Sequence, residues 1–345
     1  MMLKKWRDIH KLNRVVVILF MLPFIIQCTR KEKVDLTGIE VDINVKRFEQ
    51  DLFSVSYDSI QGAVNKMNGK YNGFFEIYNY AIIKIGDYKN QAYPEYLKMY
   101  LTDFMVNKTF DESQKVFADF TPYKNDLEQA FRYYKYYFPE KEVPNVYTFI
   151  GRDLSHPSIA VDSGVLGVAI DKYMGRNCEL YHLAGFYKYM ADKMVPERLV
   201  ADCIRGWGMS EFPYNDSTNN LLNNIIYEGK IMYFTRKILP EAPDTIITGF
   251  TADQLKFCKN NEYNMWNFMV ENKLMFSTDY FTINKYVGEG PFTKDFSPES
   301  PARAAVWIGY RIIEAFMKKN PKVTFQELMT MDDGQYILER SGYNP

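Results

Sequence analysis

Histidine is scarce in this chain, with three in 345 residues, at His10, His156 and His182. No two of them stand in a His-x-x-x-His spacing, so a zinc site assembled on one helix from ligands a turn apart is excluded. Serine-hydrolase hardware is missing as well. There is no Gly-x-Ser-x-Gly turn, and the adjacency of Ser155 and His156 in sequence is not the spatial pairing that a triad needs. One Asp162-Ser163-Gly164 offers half of the carboxylate pair of an aspartic protease and reads as a hairpin turn. GVLGVAIDKYMG lacks the GxxxxGK[ST] spacing of a phosphate loop. Charge of one sign is lacking too. The formal net charge is -1 and no Lys/Arg cluster follows the first 33 residues, which argues against nucleic acid as a partner. Apart from Cys28, the cysteines are Cys178, Cys203 and Cys258, an odd number at wide spacings. They indicate neither a disulfide framework nor a zinc knuckle, and they read as small buried apolar residues.

What is present begins with a targeting segment. Lys4, Lys5, Arg7, Lys11 and Arg14 form a basic region ahead of the 13-residue apolar run 15–27. A helix needs about 20 residues to cross the hydrocarbon of a bilayer, so this run matches a secretory signal over residues 1–27. It ends at FIIQC, which resembles a bacterial lipobox with Gln27 where Gly, Ala or Ser is usual. Cys28 is the expected lipidation site, and acyl chains contributing about 0.8 kcal/mol per buried CH2 would hold the chain at a membrane. Cleavage removes five basic residues and one acid, a net +4, and takes the charge from -1 to -5. Residues 28–40 then form the lipidated cysteine and a polar tether, and 41–345 a single large domain.

The full chain is 47% hydrophobic and 25% charged, the profile of a globular protein. Its 27 Tyr and 25 Phe are read as an aromatic core in preference to a stacking surface. VDINVKRFEQDLF (41–53) predicts a short strand running into a helix, and 56–138 is helical by period. PNVYTFIGR (144–152) and SIAVDSGVLGVAID (158–171) are β-rich, which predicts a small antiparallel sheet. Helices follow again. One begins at Pro196, one runs from Asn219 to Ile238, one is capped by a Thr251/Gln254 box, one starts at Ser300-Pro301, and the last runs from Thr324 with an interruption at Asp333-Gly334. The fold class is α+β, a mostly helical body around a small sheet.

Within the 219–238 helix, NNIIYEGKIMYF places Tyr227 and Glu228 in an apolar setting. A carboxylate there cannot remain charged and buried alone, because desolvation costs several kcal/mol. Arg205, Arg303 and Arg311 are the natural counter-ions, since a guanidinium matches a carboxylate in two-pronged geometry. Gly229 and Gly309 each cost about 1 kcal/mol in a helix relative to alanine, and are read as permitting close approach of their two helices.

FIIQC, PNVYTFI, DSGVLGVAIDKYMG (162–175), NIIYEGKIMYF (224–234), FSTDYF (276–281) and SPARAAVWIGYRII (300–313) together resemble the gliding-motility-associated lipoprotein GldB family of Bacteroidetes, over nearly all of the mature chain. The resemblance implies a lipid-anchored envelope protein associated with gliding and its linked secretion machinery, whose partners are the membrane and envelope proteins. The YEGK and SPxRxxxWIGYRI segments are also similar to predicted zinc peptidases that carry His-Glu-x-x-His on the preceding helix. Here that helix, PERLVADCIRGW, has no histidine. A zincin-like fold without its metal site is therefore implied, with Glu228, Tyr227, Arg205, Arg303 and Arg311 as the degenerate site. No catalytic residue, metal ligand or cofactor is assigned. The expectation is a non-enzymatic envelope lipoprotein acting by protein interaction. The rival readings are a metallopeptidase-like hydrolase with an unrecognised site and a periplasmic module binding peptide or glycan.

Overall fold

Two strands buried along nearly their whole length set the frame. In Asn145–Phe149 (β2) and Val165–Ala169 (β4) every residue but the first is buried. Such continuous apolar runs belong to strands covered on both faces. The computed structural model describes residues 34–345 except 57, 58, 72 and 163. The signal segment and Cys28 lie outside the described residues. The chain divides after Thr37, and the body is Gly38–Pro345.

The chain enters the sheet at Val45–Arg47 (β1) and continues directly into helix α1 (Phe48–Phe53). It then runs through α2 (Ile60–Tyr71), α3 (Gly73–Ile77), a π-helical turn at Tyr78–Ile82, α4 (Tyr93–Thr102), α5 (Phe104–Phe117) and α6 (Thr121–Tyr137). After β2 come β3 (Ile159–Asp162) and β4, then α7 (Glu179–Leu183), α8 (Lys188–Ala191) and α9 (Leu199–Glu211). The C-terminal part holds α10 (Leu221–Ile238), α11 (Asp244–Thr248), α12 (Ala252–Asn260), α13 (Glu262–Glu271), α14 (Tyr280–Val287), α15 (Ala304–Lys319), α16 (Phe325–Thr330) and α17 (Gly334–Ser341). The α+β class is as expected.

The sheet order is β1-β2-β4-β3. Only the β3–β4 hairpin is antiparallel, as the Asp-Ser-Gly turn predicts, with Asp162 opposite Val165 and Gly164 at φ +81°. The β1–β2 and β2–β4 pairs are parallel, so the expected antiparallel sheet is corrected to a mixed one. Parallel neighbours need long crossovers. The helical run α1–α6 makes one, and the segment carrying β3 makes the other.

Opposite faces of the sheet meet different helices, because successive residues alternate sides. On β4, Gly167 lets Phe74 of α3 lie against the sheet, where Phe74 stacks on Tyr147 at 4.6 Å. Ile159 of β3 lies opposite Val168, the next residue along β4, and so faces the other way. There it contacts Gly206 of α9, at a distance that any side chain on residue 206 would close. The aromatic richness is largely core. Phe48 meets Tyr71 and Tyr78 at 4.9 and 4.6 Å, and the buried Tyr78 hydroxyl donates to the Ile150 carbonyl at 2.9 Å. Cys203 and Cys258 are buried and Cys178 is half-buried.

The C-terminal half is organised by the crossing of α10 and α15. Asn220 caps α10 by accepting from the Asn223 amide at 2.8 Å, and Thr251 and Gln254 form the expected capping box on α12. Thr324 and Glu327 form a second on α16. The expected start of the next-to-last long helix at Ser300-Pro301 is corrected. The helix α15 begins at Ala304, and Arg303 before it sits in the left-handed region at φ +61°. A left-handed residue cannot continue a right-handed helix, so the turn at 302–303 sets the boundary and the helix starts one residue later.

Candidate functional site

Glu228 projects from the middle of α10 and is mostly buried. Its Oε2 accepts from Arg205 Nη2 at 2.7 Å and from Arg303 Nη2 at 2.8 Å. Two of the three expected counter-ions are thus in place, and both use the same oxygen. The third is not. Arg311 lies eight residues beyond Arg303, a rise of about 12 Å along a helix. It donates from Nε to both oxygens of Glu262 at 3.2 Å and also binds Glu314. Its assignment to the Glu228 site is corrected for that reason. Tyr227 also stands apart. One residue along a helix turns the side chain about 100°, and the Tyr227 ring packs on Tyr214 at 5.2 Å. Burial and the neighbouring Glu228 push its phenol up to about 12.

The strained backbone at Arg303 has a visible counterpart. A non-glycine residue held in the left-handed region costs on the order of 1 kcal/mol and persists where its surroundings over-determine it. Here the guanidinium is held by two carboxylates, Glu228 through Nη2 and Glu289 through Nη1 at 2.7 Å. Burial would lower its pKa, but Glu228 and Glu289 hold it above the ordinary value. Arg205 shows the opposite direction. Burial, and then the charge of Arg303, lower it. Glu289 is pulled down to about 2: burial opposes, but Arg303 and Lys193 prevail.

Arg205 and Arg303 line a cavity of about 510 Å³. Three further cations reach its wall, Lys172, Lys193 and Arg198, and two carboxylates, Asp202 and Glu289. Arg198 donates to Asp202 at 2.9 Å, and the Tyr173 hydroxyl donates to the other Asp202 oxygen at 3.1 Å. Sequence reasoning missed this wall. Part of it was readable, because Arg198, Asp202 and Arg205 recur at i, i+4 and i+7 and so share one helical face. Lys172, Lys193 and Glu289 come from distant segments and left no local signal.

The histidines stand elsewhere. His156 is buried, with Nε2 2.9 Å from Asp171 Oδ2 and Nδ1 3.0 Å from the Pro157 carbonyl oxygen, while His182 is exposed on α7. Asp171 also accepts the Gly151 amide at 2.9 Å. Among the described residues no three His, Cys, Asp or Glu side chains come together as a metal-ligand set. No described helix is long and apolar enough to cross a membrane.

No curated protein and no solved structure matches the chain. A family profile does. That of the gliding motility protein GldB matches residues 29–345, which is nearly the entire chain. Coverage on that scale decides the family, and the chain belongs to the GldB family of gliding motility proteins.

Proposed function

We propose that this protein is a lipid-anchored component of the cell envelope that serves gliding motility through protein interaction and carries out no hydrolysis. The observation that carries this reading is the family match, which begins at residue 29, one past the cysteine of FIIQC. The family's lipoprotein designation agrees with an anchor at Cys28. Against hydrolysis stands the state of Glu228. Its carboxylate is shared by two guanidiniums through one oxygen, so the place of a cation beside that oxygen is already taken. On this reading Arg205 and Arg303 take the place beside Glu228 that a metal holds in the peptidases with similar segments.

The test is made in cells with the full chain. Labelled palmitate is expected to enter the wild-type protein and not Cys28→Ser, and the variant is expected to leave the membrane fraction. Crosslinking of the anchored protein is expected to capture envelope proteins of the gliding or secretion machinery. Unlabelled wild-type protein would refute the anchor. Near-stoichiometric zinc lost on Glu228→Ala would refute the non-hydrolytic reading.

A second reading is favoured by the cavity: the same body holds a small ligand, as a binding module does. Its volume falls within the range of roughly 300–1,000 Å³ usual for ligand sites.

A further inference from the structure

We infer that the cavity beside Arg205 and Arg303 binds an organic carboxylate carried on an apolar body. This rests on the cavity being a binding site and is independent of the membrane anchor.

The charge on the wall favours an anion. Five cationic side chains face two carboxylates on the wall, and Glu228 behind it raises the acids to three. An excess of two positive charges remains. Each acid is already spent, Asp202 on Arg198, Glu289 on Arg303 and Lys193, and Glu228 on both arginines. Donors, by contrast, are left over. Among the described residues Arg205 gives one hydrogen bond, from Nη2, although a guanidinium carries five N–H groups. Arg198 Nε is buried with no acceptor at all. A buried donor left unpaired costs about 1–3 kcal/mol, but Arg198 Nε is shut off from water, so the spare donors open to an incoming acceptor are those of Arg205. Burial and the proximity of Arg303 already depress Arg205, and burial depresses Lys193. A ligand anion relieves that stress, whereas a cation would add to it.

The rest of the wall favours an apolar body. Phe186, Met190, Ile247 and Phe250 are apolar, and the Lys172 ammonium lies 5.0 Å from the Phe186 ring centre, joining the two halves. An inorganic anion would satisfy the arginines and leave this half wet. A carboxylate fits the planar fork of a guanidinium, and a hydrocarbon or aromatic body covers methionine and phenylalanine. Two sources share that chemistry, a fatty acid and the C-terminus of a polypeptide ending in apolar residues.

The experiment titrates the purified full-length protein in detergent by calorimetry, with empty micelles as blank. The probes are octanoate, N-acetyl-Phe-Phe with a free carboxylate, the same dipeptide as its C-terminal amide, and inorganic phosphate. Binding of octanoate or the free-acid dipeptide, at least about tenfold tighter than the amide or phosphate, is expected, since charge-assisted bonds to the arginines are at stake. Which of the two binds identifies the source.

Two variants carry opposite signs. Arg205→Gln should weaken binding about tenfold. Glu289→Gln frees Arg303 and Lys193 and should tighten it several-fold. Equal binding of free acid and amide overturns the anionic assignment and leaves the cavity a binding site. Phosphate binding as tightly as octanoate overturns the apolar half. Weakening by Glu289→Gln overturns the electrostatic argument even if Arg205→Gln fails to fold. No binding by any probe overturns the inference and the binding-module reading together.

Discussion

Gly309 of α15 lies so close to Ile225 of α10 that a Cβ on residue 309 would stand 1.7 Å from the Ile225 carbonyl oxygen. The approach is mutual, since a Cβ on Gly229 would fall 2.4 Å from the Gly309 carbonyl carbon. Two helices in backbone contact at this point bring Glu228, one residue before Gly229, into reach of Arg303, one residue before α15. The site therefore depends on the crossing.

That dependence gives a prediction against helix propensity. Alanine normally stabilises a helix interior over glycine by about 1 kcal/mol. At 309 the obstacle is backbone, which cannot swing aside, and overpacking costs about 1–3 kcal/mol or more. Gly309→Ala and Gly229→Ala should each lower stability by roughly 2 kcal/mol net. Gly62→Ala, on an exposed face of α2 with nothing within 4 Å, should raise it by about 0.5–1 kcal/mol. Urea midpoints measure all three. Unchanged stability in Gly309→Ala would mean the helices do not touch.

Glu228→Gln tests the cluster itself. The amide leaves Arg205 with no carboxylate partner beside Arg303, which keeps only Glu289, and a loss of about 2–3 kcal/mol is expected. Adding Arg205→Met to that variant removes the repulsion and should restore part of the loss. The coupling in this double-mutant cycle should reach about 1 kcal/mol or more. Strict additivity of the two changes would contradict the shared-oxygen arrangement.

Much of this arrangement was legible, and the limits were physical. A carboxylate in NNIIYEGKIMYF had to find a cation, and three arginines were the candidates. Choosing among them required knowing where α15 begins. Arg303 reaches Glu228 because it precedes the helix in a left-handed turn, and Arg311 misses because it is carried two turns up. Gly229 and Gly309 announced their contact because glycine is costly in a helix without a reason. The buried runs of VYTF and VLGVA were visible as strands, yet strand direction depends on where crossovers pass, which no local pattern encodes. Glu289 and Lys193 met Arg303 only through tertiary folding.

Glu289 should shape the acid limb of stability. Its folded pKa lies at about 2, below the ordinary carboxylate value of 4.5, because Arg303 and Lys193 outweigh burial. A depressed acid contributes stability above pH 4.5 and loses it as the pH falls from 4.5 towards 2. Wild-type protein is therefore expected to lose stability faster than Glu289→Gln over that interval. Parallel unfolding curves at pH 4.5, 3.5 and 2.5 would remove Glu289 from the network.

Lys230 should act with the opposite sign at alkaline pH. Buried on α10, its ammonium donates to the carbonyls of Met329 and Met331 at 3.2 and 2.5 Å, with Asp332 no nearer than 4.0 Å. Burial brings its pKa down from 10.5 to about 8, with Asp332 opposing. Between pH 8 and 10.5 the unfolded chain then binds more protons at this residue than the folded one, so stability from Lys230 rises with pH. Buried Cys203 and Cys258 pull the other way, because burial raises their thiol pKa values and the unfolded thiols ionise first. The effect is therefore read as the difference between wild type and Lys230→Met, in which those contributions cancel. That difference should shift in favour of the wild type by about 2 kcal/mol from pH 8 to 10. A difference that stays constant over the range would show that Lys230 titrates as an ordinary, solvated lysine.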